Sequence, residues 1–191
     1  MKLLLYCTKG ILLQWHFKKF LEKPFMLYPR KAKKEDYESP HTLNGKIVAE
    51  CDFEVQSLER IGDYIRFAGV EDGEWLNNMY YEYKSCLSEE ELFNYVKDKF
   101  YAIHIKNLNI FDKPRELSDY CKEEKIRNSL YSSFLIKTPI KNAPQNMMYC
   151  YGKKTGEKYI LISIRPEWLC KILNGEKTIE IRKKVLKEMQ L

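Results

Sequence analysis

Short apolar runs and period-two alternation, bounded by turn residues, recur along this chain and predict a protein made mainly of strands. Residues 2–7 read as a strand that ends in a turn at Thr8, Lys9 and Gly10. Residues 11–20 are compatible with a short helix, and residues 24–40, Pro-bearing and first basic then acidic, fit a surface loop. Asn44-Gly45 is a hairpin signal, because both residues tolerate positive φ, and a strand is expected over 47–55. Residues 62–84 lack a clean period and read as an irregular or inserted region. Ser88 and Glu91 form a capping box that opens a helix carrying Leu92, Phe93 and Val96 to about Lys99. Residues 101–105 alternate as a half-buried strand. The apolar parity flips at Lys106-Asn107, which predicts a bulge or bend before the strand resumes over 108–111. Asp112-Lys113-Pro114 is expected to start a helical turn through Leu117 and Tyr120. Residues 121–142 are polar and ambiguous, a second candidate insertion. Residues 147–151 form another strand, and 152–157 a charged hairpin turn.

The C-terminal unit has the clearest pattern. Residues 159–164 are a buried strand rich in β-branched side chains. Pro166 and Glu167 start a helix with an apolar face of Leu169, Ile172 and Leu173, and Gly175 ends it by adopting the left-handed conformation. Residues 178–182 alternate as a strand, with Thr178, Glu180 and Arg182 on one face and Ile179 and Ile181 on the other.

Composition narrows the class. The chain has 191 residues, 45% hydrophobic and 31% charged, which suits one soluble domain with insertions. Its six cysteines are scattered without a C-x-x-C pair and its three histidines do not cluster, so no metal or cofactor site is expected. The Leu-rich start is interrupted at Lys9 and Gly10, too early for a signal peptide or a membrane span, and a cytoplasmic location follows as the expectation. The net charge of +6 conceals a division: residues 1–34 carry +8, residues 35–124 carry −11 and residues 125–191 carry +9. Basic ends suit an anion such as nucleic acid, and the acidic middle suits a different partner.

The unit from Ile162 to Trp168 and on through Gly175, Lys177, Glu180 and Arg182 resembles the ASCH family, whose pattern after a short helix is G-x-K-x-x-E-x-R. Residues 6–9, 43–48 and 103–108, with Pro144-Gln145, resemble the phage and prophage members of the same family. The order differs, since the unit that usually comes first stands last here, so the chain resembles a circularly permuted member. The resemblance implies an α+β fold, a PUA-like mixed or antiparallel β-barrel flanked by short helices, formed by residues 1–191 with insertions near 62–84 and 121–142. Permutation further implies that strands 2–7 and 177–182 are neighbours and that the basic ends share one surface.

For function the resemblance implies a basic cleft holding RNA or a modified nucleotide. Lys9, Lys177 and Arg182 would orient phosphates, Arg165 and Trp168 would clamp or stack on a base, Gln145 would pair with a base edge, Glu180 would accept from an exocyclic amine, and Thr8 would join them in binding. Each has a plainer reading: Glu180 and Arg182 as an ion pair, Trp168 as helix packing, and His104, a further candidate base, as a satisfied structural histidine. Two alternatives stay open. One is an enzyme, an amidohydrolase of acylated cytidine or a ribonuclease, with Lys177 and Glu180 catalytic; the Lys and Thr spacing of the amidohydrolases is not reproduced here. The other is a phage-encoded inhibitor that docks a basic host protein through acidic residues 71–91.

Overall fold

Burial on both faces organises the first strand: Leu3, Leu4 and Leu5 are fully buried in β1 (Lys2–Cys7). The computed structural model describes residues 1–8, 45–70, 75–127 and 133–189, so Lys9 and the helix expected over 11–20 lie outside the described residues. Further along the chain come β2 (Ile47–Ile61), β3 (Tyr64–Phe67), α1 (Asn78–Ser85), α2 (Glu89–Tyr95), β4 (Lys99–Arg115), β5 (Tyr120–Arg127) and β6 (Ser133–Pro139). They are followed by β7 (Met147–Gly152), β8 (Lys158–Ile164), α3 (Pro166–Leu173) and β9 (Ile179–Arg182). The class is therefore mixed α+β, dominated by strands. No described helix is long and apolar enough to cross a membrane.

The chain divides into two compact units, Met1–Cys51 with Asn109–Cys170, and Asp52–Leu108 with Lys171–Leu191. In the first, β1 runs parallel to β8, from Lys2 opposite Tyr159 to Cys7 opposite Ile164, and antiparallel to the start of β2, with Leu3 opposite Cys51. Next come β7, antiparallel to β8, then β5 and β6. The core there gathers Leu4, Tyr6, Ile47, Phe111, Tyr120, Ile140, Cys150, Tyr159 and Leu161. In the second unit the later part of β2 turns at Gly62, φ +61°, into β3, and the early part of β4 pairs with β9, Tyr101 opposite Arg182. Its core is Leu58, Ile65, Tyr81, Leu92, Val96, Phe100, Ala102, Ile179 and Ile181.

Several expectations need correction. Among the described residues the strands form an open path, not a closed barrel. The first and last strands are not partners: a strand has two edges, those of β1 are taken by β8 and β2, and β9 pairs with β4. The C-terminal unit does reach β1, but through β8. The stretch 62–84, read as irregular or inserted, carries β3 and α1, and the ambiguous stretch 121–142 carries the strands β5 and β6. β4 continues through Pro114, whose fixed φ is compatible with extended backbone, and only Leu117–Asp119 make a single 3-10 turn. β2 runs on to Ile61, beyond the expected end at 55, and α2 stops at Tyr95, before the expected Lys99, because Lys99 already begins β4.

Other local signals are matched. The parity flip coincides with Asn107, at φ +48°, whose side chain donates to Asp52 Oδ2 at 2.8 Å. The capping box is formed: Glu91 N donates to Ser88 Oγ at 3.2 Å, and Ser88 N to Glu91 Oε2 at 2.9 Å. Ser88→Ala is expected to cost about 1 kcal/mol, read as a lower urea midpoint with an unchanged slope.

Candidate functional site

The helix α3 ends as its sequence dictates. Gly175 takes φ +77°, Gly175 N donates to Ile172 O, and the amides of Glu176 and Lys177 both donate to Lys171 O at 2.9 and 3.0 Å. This turn aims Lys177 at the C-terminus of α1. There Lys177 Nζ donates to Ser85 O at 2.6 Å, and Thr178 N donates to Lys84 O at 2.9 Å. The last carbonyls of a helix have no partner within it and carry its negative end, so an ammonium bonded there satisfies both needs. Cys86, at φ +57°, completes the cap.

Glu180 joins the motif together. Its Oε2 lies 3.3 Å from Lys177 Nζ and its Oε1 2.8 Å from Arg182 Nε. Lys177 is 3% exposed and Glu180 8%, so Glu180 joins a buried ammonium to the half-buried Arg182, and this is not a solvated pair. Burial holds the Lys177 pKa below the usual lysine range, with the Glu180 charge opposing that shift. The two cations expected to attract phosphate are thus engaged with Glu180, and Lys177 also with α1. The helix they brace lay in the stretch expected to be an insertion. Its signal was Asn77, an N-cap whose side chain accepts from Met79 N at 3.0 Å.

Thr8, Gln145, Arg165 and Trp168 belong to the first unit. Thr8 and Arg165 follow β1 and β8, which end in register with Cys7 opposite Ile164, and Thr8 N donates to Ile164 O at 2.9 Å. Ser163 N donates to Asn146 O at 2.9 Å and Ser163 Oγ to Pro144 O at 2.6 Å, which sets Gln145 at the same end. Gln145 is exposed, the Arg165 side chain is 77% exposed and Trp168 is half-buried on α3. Arg165 NH1 lies 4.0 Å from Glu167 Oε1, too loose to hold it. A strand end presenting a hydroxyl, an amide and an exposed guanidinium can meet a phosphate and a base edge together.

His104 has partners. Its Nε2 lies 2.7 Å from Gln56 Oε1, which also accepts from Tyr81 OH at 3.0 Å, and its ring stacks on Tyr80 at 6.4 Å. Because the amide oxygen only accepts, Nε2 carries the proton, and burial lowers the ring's pKa. None of the six cysteines is joined in a disulfide. Among the described residues no group of three His, Cys, Asp or Glu is placed to hold a metal.

No protein-family model, no curated protein and no solved structure matches this chain.

Proposed function

We propose that this chain is an ASCH-type, PUA-like protein that binds RNA or a modified nucleotide at the shared end of β1 and β8, without catalysing a reaction. One observation carries the reading: Thr8, half-buried, and Gln145 and Arg165, both exposed, come from three distant stretches of sequence to the same end. Trp168 flanks them as the surface on which a base would stack. Arg165, from the basic C-terminal portion of the sequence, follows β8 at this end. Lys177, Glu180 and Arg182 act in this reading as a brace for α1. A lysine 3% exposed and bonded to a helix carbonyl offers a substrate no approach, which favours binding over hydrolysis.

Fluorescence anisotropy of a short labelled RNA tests it. The logarithm of the association constant should fall linearly with the logarithm of salt concentration, with a slope of a few phosphates. Arg165→Ala should weaken binding about three- to tenfold and reduce the slope by about one. Affinity indifferent to salt and to Arg165 would remove the reading.

A second reading, docking of a basic protein, draws support from Met79 and Tyr83, 73% and 75% exposed beside Glu82 and Glu89 on α1 and α2. Met79, Glu82 and Tyr83 line one depression of about 630 Å³. Retained partner binding by Arg165→Ala, with loss in Tyr83→Ser, would favour it.

A further inference from the structure

At the other end of β8, about 20 Å from Ile164 along a seven-residue strand, the first unit holds a cleft unrelated to the residues above. It encloses about 530 Å³, within the range of small-molecule sites, and Arg115, Lys153, Lys154, Thr155, Tyr120 and Tyr159 line it. One wall is the 3-10 turn Leu117–Asp119 and the other is the turn between β7 and β8. The two walls are fixed to each other, since Lys153 N donates to Asp119 O at 3.0 Å.

Three cations face a single lining carboxylate. That carboxylate, Asp119, is already engaged, its Oδ2 accepting from Glu116 N at 3.0 Å. Arg115 is held in place: its guanidinium lies 3.7 Å from the centroid of the Phe111 ring, and NH1 donates to Tyr120 OH at 3.1 Å. Lys153 and Lys154 are exposed and extend from the turn. Thr155 Oγ1 stands over Gly152, where a Cβ would approach it to 2.5 Å, and accepts from Glu157 N at 3.3 Å. The floor is aromatic, with Tyr120 and Tyr159 packed edge to face at 5.9 Å and both buried.

An anchored guanidinium, two adjacent ammonium groups and a hydroxyl above buried rings are the groups a phosphate ester needs: charge for the phosphate and an apolar base for its organic part. We propose that this cleft binds a phosphomonoester of nucleotide size, its phosphate taken by Lys153, Lys154 and Arg115. The source is either a free nucleoside monophosphate or the terminal phosphate of a nucleic acid chain. The site stands apart from the RNA-reading end, and neither needs the other.

Calorimetric titration with adenosine and cytidine monophosphates, with inorganic phosphate and with the parent nucleosides tests the proposal. The monophosphates should bind saturably and the nucleosides should not. The double variant Lys153→Gln/Lys154→Gln should weaken binding about tenfold or more, with Lys97→Gln, an exposed lysine outside both sites, within about twofold of wild type. In the unaltered protein, phosphate should move the amide resonances of Gly152 and Thr155, a readout independent of how the variants fold. A 5′-phosphorylated oligonucleotide that competes where its 5′-hydroxyl counterpart does not identifies a chain end as a ligand. Competition by the mononucleotide alone identifies the free species. Equal binding of nucleoside and nucleotide, equal affinity of the double variant, or loss of binding in Lys97→Gln overturns the proposal.

Discussion

Glu180→Ala is expected to destabilise the protein by about 3–5 kcal/mol, the range for removing one partner of a buried ion pair. The carboxylate stands between Lys177 and Arg182, at 3.3 and 2.8 Å, and is 8% exposed. Its loss leaves Lys177 buried, and Arg182 partly so, with no neutralising charge, the costlier of the possible deletions. Lys177→Met is milder in comparison, because the Glu180 and Arg182 pair survives while Ser85 O and Glu180 Oε2 lose their contact with the ammonium. A cost of about 1–3 kcal/mol is expected there. Urea unfolding followed by circular dichroism at neutral pH gives both values. A Glu180→Ala protein within 1 kcal/mol of wild type, or less affected than Lys177→Met, would contradict the triad's geometry.

Stability is also expected to fall steeply in alkali. Burial raises the phenols of Tyr6, Tyr81 and Tyr159 to about 12, and that of Tyr120 in the same direction. An unfolded tyrosine loses its proton near pH 10, so between about pH 10 and 12 the folded state holds more protons than the unfolded. The stabilisation is complete below pH 10 and is lost as pH rises through the folded values. The loss is about 1–3 kcal/mol for each of Tyr6 and Tyr81, both under one-tenth exposed. Lys177 acts the other way: its lowered pKa makes stability rise as pH approaches the ordinary lysine value from below. Unfolding free energies from pH 8 to 12 should therefore turn downward above 10. Tyr81→Phe, which leaves Gln56 Oε1 with its His104 partner, should lessen the fall. A flat profile through this window would show that these phenols titrate normally.

Signals carried by adjacent residues were legible without coordinates. The capping box at Ser88 and Glu91, the Gly175 stop, the bend at Asn107 and the turn at 152–157 each depend on neighbours within a few positions, and each is present. Signals that depend on a partner strand were not. β5 and β6 read as ambiguous because a hairpin wet on much of its surface does not alternate, and its register comes from pairing Cys121 with Pro139 through to Arg127 with Ser133. α1 was obscured because only Tyr81 and Ser85 of its eight residues are buried, too few for an apolar stripe. The group around the G-x-K-x-x-E-x-R motif was identified correctly as a constellation. Its burial was not foreseen, since an exposed ion pair and a buried one share the same letters.

By itself the sequence determined the local units: strand β8, helix α3, its glycine stop and strand β9, together with the alternation that assigns their faces. These follow from backbone preferences and side-chain period, which act over a few residues. Only the tertiary structure decided that β1 lies between β8 and β2 and that Lys177 closes a helix ninety-two positions earlier in the chain. Contacts at such separations are selected by which surfaces bury best together, and no short stretch of residues encodes that choice.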